Sequence, residues 1–142
     1  NYFLKIDDDI KINQQILQKF IDHHFYSFDY LGVSTGGVGF NRKWHINKCK
    51  NPTLNKQYYT NKFYGTWCGG GYGYILSRKA VSLLLKDDNL EYIYNELYED
   101  KAIGDVLRKE GIKPCFEILP DLKISKKLNM KGDDYIFISN HK

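Results

Sequence analysis

The sequence is short of arginine, of apolar runs and of paired cysteines, and each shortage removes a class of function. Of its 21 basic residues only Arg42, Arg78 and Arg108 are arginine, and the lysines are spread along the chain. Nucleic-acid readers gather Arg and Lys on one face, so the net charge of +4 reads as solvated surface lysine and no nucleic-acid partner is expected. No stretch is apolar for the ~20 residues that a membrane span needs, and no secretory signal opens the chain. Cys49, Cys68 and Cys115 are an odd number without zinc-type spacing, which leaves the redox compartment open. The triplet Asn51-Pro52-Thr53 has proline at its centre and does not qualify as a glycosylation acceptor. Internal repeats and low-complexity tracts are absent. The chain begins at Asn1 rather than Met, which suggests a fragment or a processed piece.

What is present fits one domain over residues 1–142, a length that buries a modest core. Aromatic residues make up 15%, including 12 Tyr and 8 Phe, which excludes a disordered tail. Residues 2–6 read as a mostly buried strand ending in Asp7-Asp8-Asp9, with a short extended piece resuming at Ile10. Asn13 is a candidate N-cap for a helix whose Ile16, Leu17, Phe20 and Ile21 share one face. Residues 30–40 are glycine-rich and suggest a strand with a loop, and 41–66 read as a long surface loop. Ser77 is placed to cap a second helix with Ala80, Val81, Leu84 and Leu85 as its apolar stripe. A third helix starts near Glu99-Asp100, turns Ile103 and Leu107 inward and stops at Gly111. A strand over 112–119 and renewed alternation over 135–139 complete an α/β pattern of interleaved strands and helices.

Three segments carry chemistry. The adjacent carboxylates Asp7-Asp8-Asp9 repel one another unless a cation sits among them, and their hard oxygens suit Mg²⁺ or Mn²⁺ bridging to phosphate. At a strand end side chains alternate, so Asp7 and Asp9 are expected to point one way and Asp8 the other. A solvated acidic turn is an equally weighted reading of the spacing alone, and the strand-end location favours a site. Gly69-Gly70-Gly71 with Gly73 lets the backbone approach a bound group closely, although a tight surface turn has the same composition. Glu99-Asp100 fits first of all ordinary acidic capping of a helix start, the heavier reading of these residues alone, and secondly a base that takes a proton from a sugar hydroxyl. His23 and His24 read as surface or packing residues, and His45 lies in the loop that contains Trp44.

These pieces resemble, in order, the motifs of glycosyltransferase family 31, the β-1,3-galactosyltransferase-like and Fringe-like enzymes. The acidic strand motif is matched by Phe3-Leu4-Lys5-Ile6-Asp7-Asp8-Asp9-Ile10-Lys11-Ile12-Asn13. Arg42-Lys43-Trp44-His45 is similar to the family's Lys-Trp-Tyr segment, and Gly71-Tyr72-Gly73-Tyr74-Ile75-Leu76-Ser77-Arg78 to its Gly-x-Gly-Tyr-Val-Leu-Ser-Arg stretch. Glu99-Asp100-Lys101-Ala102-Ile103-Gly104 is similar to its Glu-Asp-Val-x-x-Gly block. The similarity spans nearly the whole chain.

The resemblance implies a GT-A-like, Rossmann-like mixed sheet flanked by helices, and inverting transfer from a UDP-sugar to a glycan or glycoprotein acceptor. It implies a metal, Mn²⁺ or Mg²⁺, on Asp9 with Asp7 or Asp8, and a ligand role for His141, which follows Asp100 by 41 residues. It assigns donor contacts to Asp7, Asp8, Gly71, Tyr72 and Gly73, acceptor contacts to Trp67, Tyr74 and Glu99, and the general base to Asp100. Family enzymes carry a nucleotide-binding region ahead of the acidic strand and a Golgi anchor, so this chain corresponds to the C-terminal, acceptor- and metal-binding part of the catalytic domain. Lys101 departs from the pattern by placing a charge where the family has an apolar residue. Two other readings stand beside this one. A phosphohydrolase or nuclease would need further ligands close to the aspartates, and a degenerate domain would bind sugar or a partner without turnover.

Overall fold

The computed structural model describes residues 1–8, 10–24 and 27–115, together with the backbone of 124–125 and 137–139. Expectations for Asp9 and His141 therefore lie outside the described residues, as do those for most of the stretch after Cys115.

A three-stranded antiparallel sheet forms the centre, with β6 (Tyr74–Ser77) between β1 (Tyr2–Lys5) and β3 (Tyr30–Gly32). Tyr2 faces Ser77 and Lys5 faces Tyr74, while Tyr30 faces Leu76. Cys115 extends this sheet through a parallel bridge to Leu31. Side-chain alternation along the strands sends residues to two faces. Leu31 and Ile75 pack with Ile10, Phe20 and Phe28 on the α1 side (Gln14–His23). Tyr30, Tyr74 and Leu76 pack on the other side with Ala80 and Leu84 of α2 (Arg78–Leu84) and with Ile103, Val106 and Leu107 of α4 (Glu99–Lys109). Helices thus flank both faces of a small sheet. Two smaller sheets complete the described structure: β4 (Ser34–Gly36) antiparallel to β5 (Thr66–Cys68), and β2 (Ile10–Ile12) antiparallel to β8 (Phe137–Ser139), which runs parallel to β7 (Ile124–Ser125). The class is mixed α/β, with four helices among the described residues.

The expected caps are in place. Asn13 Oδ1 accepts from the Ile16 N–H at 3.2 Å, and Ser77 Oγ accepts from the Ala80 N–H at 3.1 Å. Gly111, just past α4, takes φ +82°, the left-handed conformation that ends a helix.

The structure differs from the sequence reading at four points. Leu85 is 61% exposed, because α2 ends at Leu84 and leaves no further turn to aim it inward. A helix without an expected counterpart, α3 (Asp87–Asn95), follows at once. The acidic segment is a turn closed by the Ile10 N–H on the Asp7 carbonyl at 3.2 Å, so strand alternation does not govern it. Finally, 41–66 is more than a surface loop, since His45 and Tyr59 within it are buried.

That segment is fastened by aromatic packing. Phe40, Phe63 and Trp67 form one cluster, with ring centroids 5.3–5.8 Å apart. Tyr98 joins it through Phe40 at 5.4 Å and Tyr59 at 4.7 Å. His45 Nε2 lies 2.9 Å from both the Leu54 and Gln57 carbonyls, and Nδ1 lies 2.8 Å from the Tyr98 hydroxyl. Two carbonyl neighbours require the proton of a neutral ring on Nε2, so Nδ1 accepts from Tyr98. A stretch that looks structureless in sequence is thereby tied to the residue that precedes Glu99 and Asp100.

Candidate active site

The site is built where three chain segments meet: the turn after β1, the glycine turn before β6, and the first turn of α4. Gly70–Tyr72 form a single 3-10 turn, and Gly73 follows at φ +79°. A Cβ at Gly73 would stand 3.0 Å from the Lys5 carbonyl and from Ile6 Cγ2, so glycine lets the turn lie directly against the end of β1. A Cβ at Gly70 would stand 2.8 Å from Lys5 Nζ and 3.7 Å from both Asp100 Cβ and Glu99 Oε2. The Gly70 N–H donates to Asp100 Oδ2 at 3.1 Å, while Asp100 Oδ1 accepts from the Lys101 N–H at 2.8 Å. Both carboxylate oxygens are therefore oriented by backbone, and the helix dipole favours negative charge at this end.

Lys5 links the two acidic segments. Its ammonium lies 2.7 Å from Asp7 Oδ1 and 3.6 Å from Glu99 Oε2. Burial works against the charged lysine, but the bond to Asp7 and the charge of Glu99 outweigh it and hold its pKa above the ordinary value. Glu99 also accepts the hydroxyl proton of Tyr74. Burial first, then the nearby Glu99 carboxylate, pushes the Tyr74 phenol well above its usual range, so it remains a donor.

Above this floor opens a cleft of about 780 Å³, lined by Asp7, the glycine turn, Asp100 and Tyr98, and also by Phe40, Trp44 and Lys48. Of the residues singled out in the sequence, the structure brings Asp7, Gly71, Tyr72 and Asp100 to this cleft. Asp8 is exposed on the turn beside it. Trp67 and Tyr74 were expected to touch an acceptor, but they are only 1% and 2% exposed. Trp67 lies beneath the cleft because Gly36 and Gly104 leave room for it: a Cβ at Gly36 would meet its ring at 2.2 Å, and one at Gly104 would meet its Cβ at 2.4 Å. Its indole Nε1 has no hydrogen-bond partner. These two side chains support the floor and present no face to a ligand.

Sequence reading passed over Lys5, Trp44 and Lys48 as site residues. Lys5 had a signal, a cation two residues before the acidic run. Trp44 was visible as part of a motif, but nothing local indicated that it would line one cleft with Asp100.

Lys101, the departure from the family pattern, is fully buried. It bonds Glu96 Oε2 at 3.0 Å and Asp105 Oδ2, and the Tyr59 and Tyr92 hydroxyls donate to those same two carboxylates. The buried charge is thus paired twice, which is the condition for keeping it in a core.

Asp7 supplies hard oxygen of the kind a divalent cation takes, and Asp8 stands next to it. Among the described residues no three His, Cys, Asp or Glu side chains are grouped as a metal site. No described helix is long and apolar enough to cross a membrane. No curated protein matches the chain. The galactosyltransferase family profile matches residues 1–116, which take in the acidic turn, the glycine turn, Asp100 and every residue lining the cleft. The chain therefore belongs to the galactosyltransferase family, glycosyltransferase family 31, and is a glycosyltransferase domain.

Proposed function

We propose that the domain, with a GT-A fold, transfers a hexose or N-acetylhexosamine from a UDP-sugar to a hydroxyl of a glycan or glycoprotein, with inversion and in β-1,3 linkage. The observation that carries this reading is the convergence of Asp7 and Asp100 on one cleft, each fixed by a different segment. Asp7, Asp9 and His141 would hold Mn²⁺ or Mg²⁺. Bound there, the ion would supply Lewis-acid neutralisation of the diphosphate leaving group.

The chain's own groups do the rest. Asp100 accepts the proton of the acceptor hydroxyl as that oxygen forms its bond to the anomeric carbon. The bond from that carbon to the donor's phosphate oxygen breaks, and UDP leaves with the electron pair. The Gly70 N–H and the Lys101 N–H hold the two oxygens of Asp100, so its orientation precedes substrate binding. Asp8 and the Gly71, Tyr72 and Gly73 backbone border the donor side, and Glu99 lies on the acceptor side with its charge moderated by Lys5. Trp67 and Tyr74 act from beneath.

The ion pair between Lys5 and Asp7 favours a second reading, sugar binding without turnover, because a neutralised Asp7 has less to offer a cation. One variant separates the two. Asp100→Asn retains Mn²⁺-dependent UDP binding and loses sugar transfer. A variant that still transfers sugar contradicts the role of Asp100, and a wild-type protein that binds sugar but never transfers it supports the second reading.

A further inference from the structure

Eight large hydrophobic side chains are exposed among the described residues, and Trp44 alone of them lines the cleft that holds Asp100. A tryptophan left 53% exposed forgoes burial that a side chain of its size would otherwise gain. Its position is not a loose one. Phe40 packs against it at 6.5 Å, and the backbone N–H of Trp44 donates to the Asn41 carbonyl at 3.0 Å. The next residue, His45, is buried and bonded to Tyr98, two residues before Asp100. The backbone that carries the ring is thus fastened to the segment that leads into α4, and the ring lines the cleft together with Asp7 and Asp100. Lys48 Nζ sits 2.8 Å from the centroid of its ring.

We propose that Trp44 is the stacking platform for the acceptor saccharide, and that Lys48 covers the platform until a sugar replaces it. The inference rests on the transfer reading above, which requires an acceptor hydroxyl at Asp100 and hence a sugar ring beside it. A pyranose has one face of C–H groups that packs on an aromatic ring and a rim of hydroxyls that hydrogen-bond to polar neighbours. Trp44 offers the first partner and the displaced Lys48 ammonium, with three donors, offers the second. Lys48 is the cation over that ring, and among the described residues it makes no ion pair that its turning to a hydroxyl would break.

The two tryptophans make this measurable. Trp67 is buried, so the part of the full-length protein's acrylamide quenching that disappears in Trp44→Phe reports Trp44. Titration with methyl β-galactopyranoside and with methyl N-acetyl-β-glucosaminide should give saturable protection from quenching with at least one of them, while mannitol gives none. In transfer assays Trp44→Ala should raise acceptor KM about tenfold, with partial recovery in Trp44→Phe, since ring stacking is worth about that factor. Absence of protection by both glycosides overturns the proposal, as does an acceptor KM unchanged by Trp44→Ala. UDP binding measured with Mn²⁺ on the same samples judges the transfer reading separately: protection without UDP binding leaves Trp44 a saccharide platform and removes the donor.

Discussion

Lys101 shows what a single residue can reveal against its background. Burial alone would raise the pKa of Glu96, but bonds from Tyr59, Lys101 and Asn61 hold it below the ordinary carboxylate range. Burial also opposes the Lys101 ammonium, and its bonds to Asp105, Tyr59 and Glu96 outweigh that, leaving its pKa raised. A depressed carboxylate contributes stability above its unfolded pKa and loses it as pH falls through the folded value. A raised lysine contributes below its unfolded pKa and loses it as pH rises through the folded one. The network therefore stabilises the fold across neutral pH. Lys101→Met strands two buried carboxylates and should cost about 3–5 kcal/mol at neutral pH. Because Glu96, without its Lys101 partner, then gains by protonating, the gap between variant and wild type should narrow as pH falls below about 5. Urea midpoints at several pH values check both statements, and a gap that widens in acid contradicts them. The sequence marked Lys101 as an anomaly and held half of the answer, since Asp105 lies one helical turn on. Glu96 lies outside α4, and its place beside Lys101 depends on how the chain enters the helix.

At the scale of elements, legibility followed apolar periodicity. The helix α4 buries a wide face, and α1 sets Ile16, Leu17 and Ile21, partly buried, around buried Phe20; both apolar patterns were plain in the sequence, as were the caps Asn13 and Ser77. In α3 only Asn89 is buried and its N-cap, Lys86, makes no capping side-chain bond, so neither stripe nor cap announced it. The aromatic fastening of 41–66 was hidden for another reason: its partners are far away in sequence, Tyr98 above all. Two outcomes belong here. Gly104→Ala forces α4 away from β5, because the new Cβ would stand 2.4 Å from Trp67 Cβ. That overpacking should cost about 1–3 kcal/mol and lower the Tm, and an unchanged Tm contradicts the close approach. His45→Leu removes three buried polar contacts and should speed amide hydrogen exchange across 41–59 more than in α1. Equal protection in both variant and wild type argues against His45 as the fastener.

For the whole molecule, the sheet's role is to bring β1, β6 and α4 to one edge, so that Lys5, Gly70 and Asp100 meet although they are distant in sequence. Motif order made that convergence legible for Asp7 and Asp100. It did not distinguish exposed from buried aromatics, because the room for Trp67 is made by Gly36 and Gly104, which stand far from it in sequence. The acidic turn was an even choice between solvated loop and site on spacing alone, and its place on the cleft with Asp100 now supports the second. Its cation remains the central claim. The most direct measurement is calorimetric titration of UDP into the full-length protein with Mn²⁺, repeated with EDTA and with Asp7→Asn and Asp9→Ala. The account predicts binding that requires Mn²⁺ and is lost in both variants. Equal UDP binding with and without the metal, or binding unchanged in both variants, would contradict it.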